Sequence, residues 1–117
     1  PEKQLRKQIM AIQTDSTPLE APKDPDTCNV MRLYRLLASP EQILTMEEAY
    51  RAGGYGFGQA KQTLYELILE KFATPRERYV YYMEHLSELD AILKEGAAKA
   101  HRVADETLRR VRAKIGY

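Results

Sequence analysis

The chain is poor in the residues that make a small protein reactive. Its 117 residues include one cysteine, Cys28, and two histidines, His85 and His101. A single cysteine cannot close an internal disulfide, which fits a reducing compartment, and so few soft ligands form no cluster at metal-binding spacing. Cys28 is therefore expected as a small buried apolar residue. No apolar run approaches the roughly 20 residues needed to span a bilayer. No signal-peptide pattern precedes the first helical stretch, so no membrane partner is expected. Strand-like alternation of useful length is missing, as is any internal repeat. No nucleophile stands with a base and an orienting group. Glu66, Glu70, Glu77 and Glu84 alternate with lysines and arginines, in the manner of surface ion pairs rather than a catalytic acid pair.

Hydrophobic residues make up 44% of the chain and charged residues 30%, which suits a soluble globular protein and excludes wholesale disorder. The length predicts one domain over 1–117 that buries about two-thirds of the surface its unfolded form exposes. The net charge of +1 hides an uneven distribution. Residues 15–26 carry four acids and one lysine, whereas residues 96–117 carry six basic residues and two acids. A basic end points weakly to nucleic acid.

Hydrophobic spacing predicts an all-α fold, a compact bundle of six or seven helices. Leu5, Ile9 and Ile12 recur at helical spacing within 3–12. A proline-rich loop follows over 14–26. Asp26 or Thr27 is the expected cap of the next helix, with Val30, Leu33, Tyr34 and Leu37 on its apolar face. Ser39-Pro40-Glu41 combines a capping hydroxyl, proline at the first helical position and an acid in the first turn. That helix uses Ile43, Leu44, Met46 and Tyr50 as contacts and stops at Gly53. Ala60, Leu64, Leu67, Ile68 and Phe72 face inward from a helix over 59–72. Pro75 either kinks it or opens a new helix capped by Thr74, which continues through Tyr79, Tyr82, Met83 and Leu86. Ser87 and Asp90 predict a further helix start, and Gly96 its end. In the last helix, Ala100, Ala104, Leu108, Val111 and Ile115 form an apolar stripe opposite Lys99, Arg102, Arg109 and Arg110.

The glycine-rich run from Gly53 to Gly58 is no Walker loop, because Gln59 rather than lysine follows its last glycine. It also lacks the dinucleotide fingerprint, since no register supplies the required glycines and a helix precedes the run. It reads either as a tight interhelical turn or as a turn exposing a helix N-terminus to phosphate, with Lys61 in the first turn. Among Tyr79, Tyr81 and Tyr82, the first and last fall at core spacing, and Tyr81 is the better candidate for exposure. The basic face of the last helix reads either as a solvated face or as a phosphate-tracking surface.

Five segments occur in a fixed order. They are Thr14-Asp15-Ser16, Asn29 to Tyr34, Gly54 to Lys61, Arg76-Glu77-Arg78-Tyr79, and Glu95 to Ala104. In that order they resemble the C-terminal helical part of the bacterial tryptophanyl-tRNA synthetases, from about Leu5 to Gly116. The resemblance implies a cytoplasmic class I enzyme that activates tryptophan with ATP and magnesium and charges tRNA(Trp). It implies a homodimer in the full-length enzyme, with one tRNA lying across both subunits. The helical part is expected to hold the anticodon region. A Rossmann catalytic domain is expected upstream, and the chain, starting at Pro1, reads as a fragment. It contains neither the HIGH-type segment nor the KMSKS loop, so it is expected to bind tRNA without catalysing, and to need no cofactor itself. The cysteine-bound iron–sulfur cluster of some relatives is excluded by the lone Cys28. The expected tRNA-binding residues are Lys61, Asp15, Ser16 and Thr17, with Arg32 or Arg35 as neighbours. The alternative is a stand-alone α-helical protein-interaction module.

Overall fold

A computed structural model describes residues 2–116. Every regular element among them is a helix: α1 (Glu2–Met10), α2 (Asn29–Leu37), α3 (Pro40–Ala52), α4 (Phe57–Lys71), α5 (Ala73–Glu84) and α6 (Leu86–Ile115). The all-α expectation holds, with six helices. None is long and apolar enough to cross a membrane.

The chain forms two compact units, Pro1–Ala73 and Thr74–Tyr117. The first owns the core. Val30, Met31 and Tyr34 of α2 meet Met46 and Tyr50 of α3 and Ala60, Leu64 and Leu67 of α4, with Ile9 of α1 and Cys28 completing the cluster. Each fully buried large side chain contributes about 1.5–3 kcal/mol relative to an exposed one. Cys28 is buried as expected, its Sγ 3.4 Å from the Tyr50 hydroxyl. Leu33, Leu44 and Phe72, expected to face inward, are exposed instead. Met31 takes the core position beside Val30.

Ser39 caps α3 as its sequence requires. Its hydroxyl accepts from the Gln42 amide, and the Gln42 side chain accepts from the Ser39 amide. The cap of α2 differs from expectation. Cys28 holds the N-cap position without a side-chain bond. Asp26 and Thr27 are otherwise engaged: the Asp26 carboxylate pairs with Arg35, and the Thr27 hydroxyl donates to the Asp24 carbonyl. Gly53 stops α3 with a positive φ of 79° but an extended ψ of 173°, not the left-handed helical geometry. α4 starts at Phe57, two residues before the sequence reading. Its start is fastened by the Gln59 carboxamide, which accepts the Gly56 amide at 2.8 Å.

In the second unit, α5 begins before Pro75, which falls in its first turn, where no intrahelical amide bond is lost. Thr74 lies inside the helix rather than capping it. α6 is one 30-residue helix. Gly96 does not end the preceding segment, and Ser87 and Asp90 are interior. His85 stands at the N-cap instead. No residue of α5 or α6 is buried, so the stripe of Ala100, Ala104, Leu108, Val111 and Ile115 contributes no core. Tyr79, expected in the core, is exposed; Tyr82 is half-buried; Tyr81 is exposed as expected.

Candidate functional site

The candidate residues lie in the first unit, where the 18 residues between α1 and α2 must be held without regular structure. Three fastenings do so. The Lys61 ammonium, from the second turn of α4, donates to the Met10 carbonyl at the end of α1, at 3.0 Å. The Asn29 side chain, opening α2, donates to the Gln13 carbonyl at 3.2 Å. Further along, the Lys23 ammonium donates to the carbonyls of Pro18, Leu19 and Ala21 at 3.0, 3.2 and 3.1 Å. Lys61 thus sits where the chain leaves α1 for the 14–17 segment, and its position there satisfies a helix C-terminal carbonyl with a cation.

Between these fastenings, Asp15 closes a local turn: its Oδ1 accepts the Thr17 amide at 2.8 Å. Thr17, through its hydroxyl and then its amide, holds the Asp15 carboxyl below the usual carboxylate range, and the Lys23 charge adds to this. The Thr14 and Ser16 hydroxyls make no hydrogen bond to the described residues. Asp15 and Ser16 are exposed, and Thr14 and Thr17 are half-buried. The segment thus offers polar groups of both kinds from a backbone tied at either end. Such groups can read the edges of unstacked bases.

The two arginines differ. Arg35 donates to Glu47 of α3 and to Asp26, 2.5 and 2.7 Å away, and these bonds raise its already high pKa, Glu47 first. Glu47 also takes Arg51 at 3.3 Å. Arg35 is therefore occupied in tying α2 to α3. Arg32 is exposed and makes no side-chain hydrogen bond or ion pair to the described residues, which leaves it available to a phosphate.

The residue that sequence reading missed is Lys23. It is 5% exposed, its amide donates to the Tyr50 carbonyl at 2.7 Å, and its ammonium lies 5.4 Å from the Phe57 ring centre. A lysine among acids and prolines reads as solvated, and nothing in its spacing signals otherwise. α1 adds Lys3, Arg6 and Lys7 to the unit's exposed surface, with Arg6 donating to Gln62 of α4 at 3.2 Å.

The tyrosine cluster of the second unit is less suited to RNA. Tyr81 stacks on His85 with ring centres 4.1 Å apart and donates to Glu88 at 2.7 Å. The Glu88 bond, more than any other contact, raises the Tyr81 pKa. Residues 74–95 carry five acids against three bases, a poor setting for phosphate. No group of three or more histidine, cysteine or acidic side chains able to hold a metal exists among the described residues.

No family model matches the chain. It is 42% identical over 114 residues, 97% of its length, to the tryptophan–tRNA ligase of Rhodopirellula baltica, of which it covers 36%. It is 40% identical over 115 residues to the tryptophan–tRNA ligase of Campylobacter jejuni, again covering 36%. The crystal structure of the Campylobacter jejuni tryptophanyl-tRNA synthetase complexed with ADP and tryptophan superposes on the whole chain with a TM-score of 0.87 at 39% identity. The chain spans about a third of the length of the curated relatives it matches.

Proposed function

We propose, from the premise that this chain belongs to the bacterial tryptophanyl-tRNA synthetase family, that it is the part of such an enzyme that holds the tRNA anticodon. The supporting observation is the match itself. It runs over 97% of the chain at 42% identity, with a TM-score of 0.87 against a solved relative, yet takes in only about a third of those proteins. The chain carries no HIGH-type or KMSKS segment. Activation of tryptophan with ATP and magnesium, and its transfer to tRNA(Trp), belong to a Rossmann domain outside it. In the whole enzyme that domain is the chain's intramolecular partner, a second subunit completes a homodimer, and the location is cytoplasmic.

The reading places anticodon bases against the 14–17 segment and phosphates against Lys61 and Arg32. Base edges supply specificity there, and the cations supply position. Arg35, held by two carboxylates, supports the site through α2.

The test is binding of the purified chain to a tRNA(Trp) transcript and to the same transcript with an altered anticodon, across a salt series. Salt-sensitive binding that weakens with the altered anticodon is the expected result. Equal binding of both transcripts, or none, overturns the reading. The chain alone is also expected to show no tryptophan-dependent exchange of pyrophosphate into ATP.

A further inference from the structure

Lys23 is a buried cation with no carboxylate within ion-pairing distance among the described residues; its three ammonium hydrogens face the carbonyls of Pro18, Leu19 and Ala21. A lone buried charge is costly unless its surroundings satisfy it fully. Here three carbonyls and the face of Phe57 do so. The residues wound around it are also stitched to the turn between α3 and α4. The Gly54 amide donates to the Leu19 carbonyl at 3.0 Å, and the Lys23 amide donates to Tyr50. Gly53 lies so close to Glu20 that a Cβ there would stand 2.4 Å from the Glu20 carbonyl oxygen.

The lysine therefore joins the far end of the 14–17 segment to the start of α4, the helix that carries Lys61. The near end is held by Lys61 on Met10 and by Asn29 on Gln13. Between the two anchorages the segment holds itself by the hydrogen bond of the local Asp15–Thr17 turn, and the Lys23 charge acts on Asp15 across it. We propose that Lys23 is a positioning residue for RNA recognition: its buried ammonium holds the 18–21 carbonyls against the α3–α4 turn and so fixes the Asp15–Thr17 loop relative to Lys61. This inference rests on the anticodon-binding reading and adds the residue that sets the geometry of that site without touching RNA.

The experiment compares the unaltered chain with Lys23→Met, which keeps most of the apolar stem and removes the ammonium. Affinity is measured for tRNA(Trp) and for the anticodon-altered transcript, beside amide hydrogen exchange at Gly54. Lys23→Met is expected to retain its helical circular dichroism, to exchange the Gly54 amide faster, and to lose about tenfold in affinity for tRNA(Trp). Affinity for the altered transcript should change little, so discrimination falls. A merely structural role would weaken both transcripts alike. Lys23→Arg, which keeps the charge, should recover part of the discrimination.

Gly53→Ala serves as an independent variant if Lys23→Met does not fold. It opens the same junction from the α3 side without altering the lysine, and it should lower discrimination in the same way. Two outcomes overturn the proposal: unchanged discrimination in a folded Lys23→Met, or unchanged discrimination in Gly53→Ala despite faster Gly54 exchange. Failure of the unaltered chain to discriminate is a different result, and it overturns the anticodon reading together with the role built on it.

Discussion

The unit Pro1–Ala73 and the unit Thr74–Tyr117 are both helical, and both carry apolar residues at helical spacing, yet they use them in opposite ways. In the first, three helices converge on Tyr50, Met31, Leu64 and Val30, each less than 2% exposed. In the second, α6 runs for 30 residues with a regular stripe, and none of its side chains is buried. Periodicity marks the face a helix can bury. Only a second surface at the right distance turns that face into core. The first unit has that surface because side chains of α1, α2, α3 and α4 meet in one cluster around Tyr50, Met31 and Leu64, whereas α5 and α6, joined through His85 alone, bury none of theirs. The one long loop of the first unit is organised by side chains such as Lys23 and Lys61.

The largest expected effect tests this contrast directly. Tyr50→Ala should destabilise the chain by about 3–5 kcal/mol, by loss of a fully buried ring and the cavity left behind. Leu108→Ala on α6 should cost less than about 0.5 kcal/mol in the same chain, because that side chain is already exposed. Chemical denaturation followed by circular dichroism measures both. Comparable losses would mean that α6 buries its stripe in solution.

Tyr50 also gives the first unit a pH response. Burial, and then the Cys28 contact, push its phenol well above the usual range. The folded-state pKa is raised, so the associated stability is fully present below the unfolded value of about 10 and is lost as pH rises above it. The unfolded chain ionises there while the folded chain resists. Between about pH 10 and pH 12, the denaturation free energy should fall more steeply in the unaltered chain than in Tyr50→Phe, by at most about 1.4 kcal/mol per pH unit. Parallel curves would assign alkaline unfolding to other groups.

How much of this was legible in the sequence also divides along the units. The Ser39-Pro40 start of α3 and the inward set Ala60, Leu64 and Leu67 follow from local rules, and the structure keeps them. Gly96 misled because glycine in a helix costs only about 1 kcal/mol, too little to break a helix favoured on both sides. Asp26 misled as a cap because a distant partner, Arg35, takes its carboxylate. The candidate residues of the proposed site differ in the same way. The 14–17 segment and Lys61 stand out by residue type and by order, and Lys61 is found at the end of α1. Lys23 was not legible, because burial of its charge depends on carbonyls that only the folded loop brings together.

Lys61, which braces Met10 and is also proposed to meet phosphate, and Arg35, which only braces, sharpen the division between contact and support within the first unit. Lys61→Ala should weaken tRNA(Trp) binding by about 1–3 kcal/mol, the usual range for a hydrogen bond to a charged group. Arg35→Ala should instead lower the denaturation midpoint, because it frees Glu47 and Asp26 from their shared partner. Paired binding and denaturation measurements separate the two. A loss of binding with Arg35→Ala at unchanged stability would move that arginine from support to contact.

The smallest expected effect returns to the second unit and has the opposite sign. Gly96 lies inside α6, and a Cβ built there meets nothing within 4 Å. Gly96→Ala removes backbone freedom from the unfolded chain and adds no clash, so it should stabilise α6 by about 0.5–1 kcal/mol. Gly53→Ala is the control from the first unit. There φ is +79° and the Glu20 carbonyl blocks the added methyl, so the same substitution must destabilise. Amide exchange along 90–102 should slow in Gly96→Ala and leave the core of α2 to α4 unchanged. If exchange in that stretch is faster instead, an approaching surface occupies the space beside Gly96 in solution, and α6 has a packing partner after all.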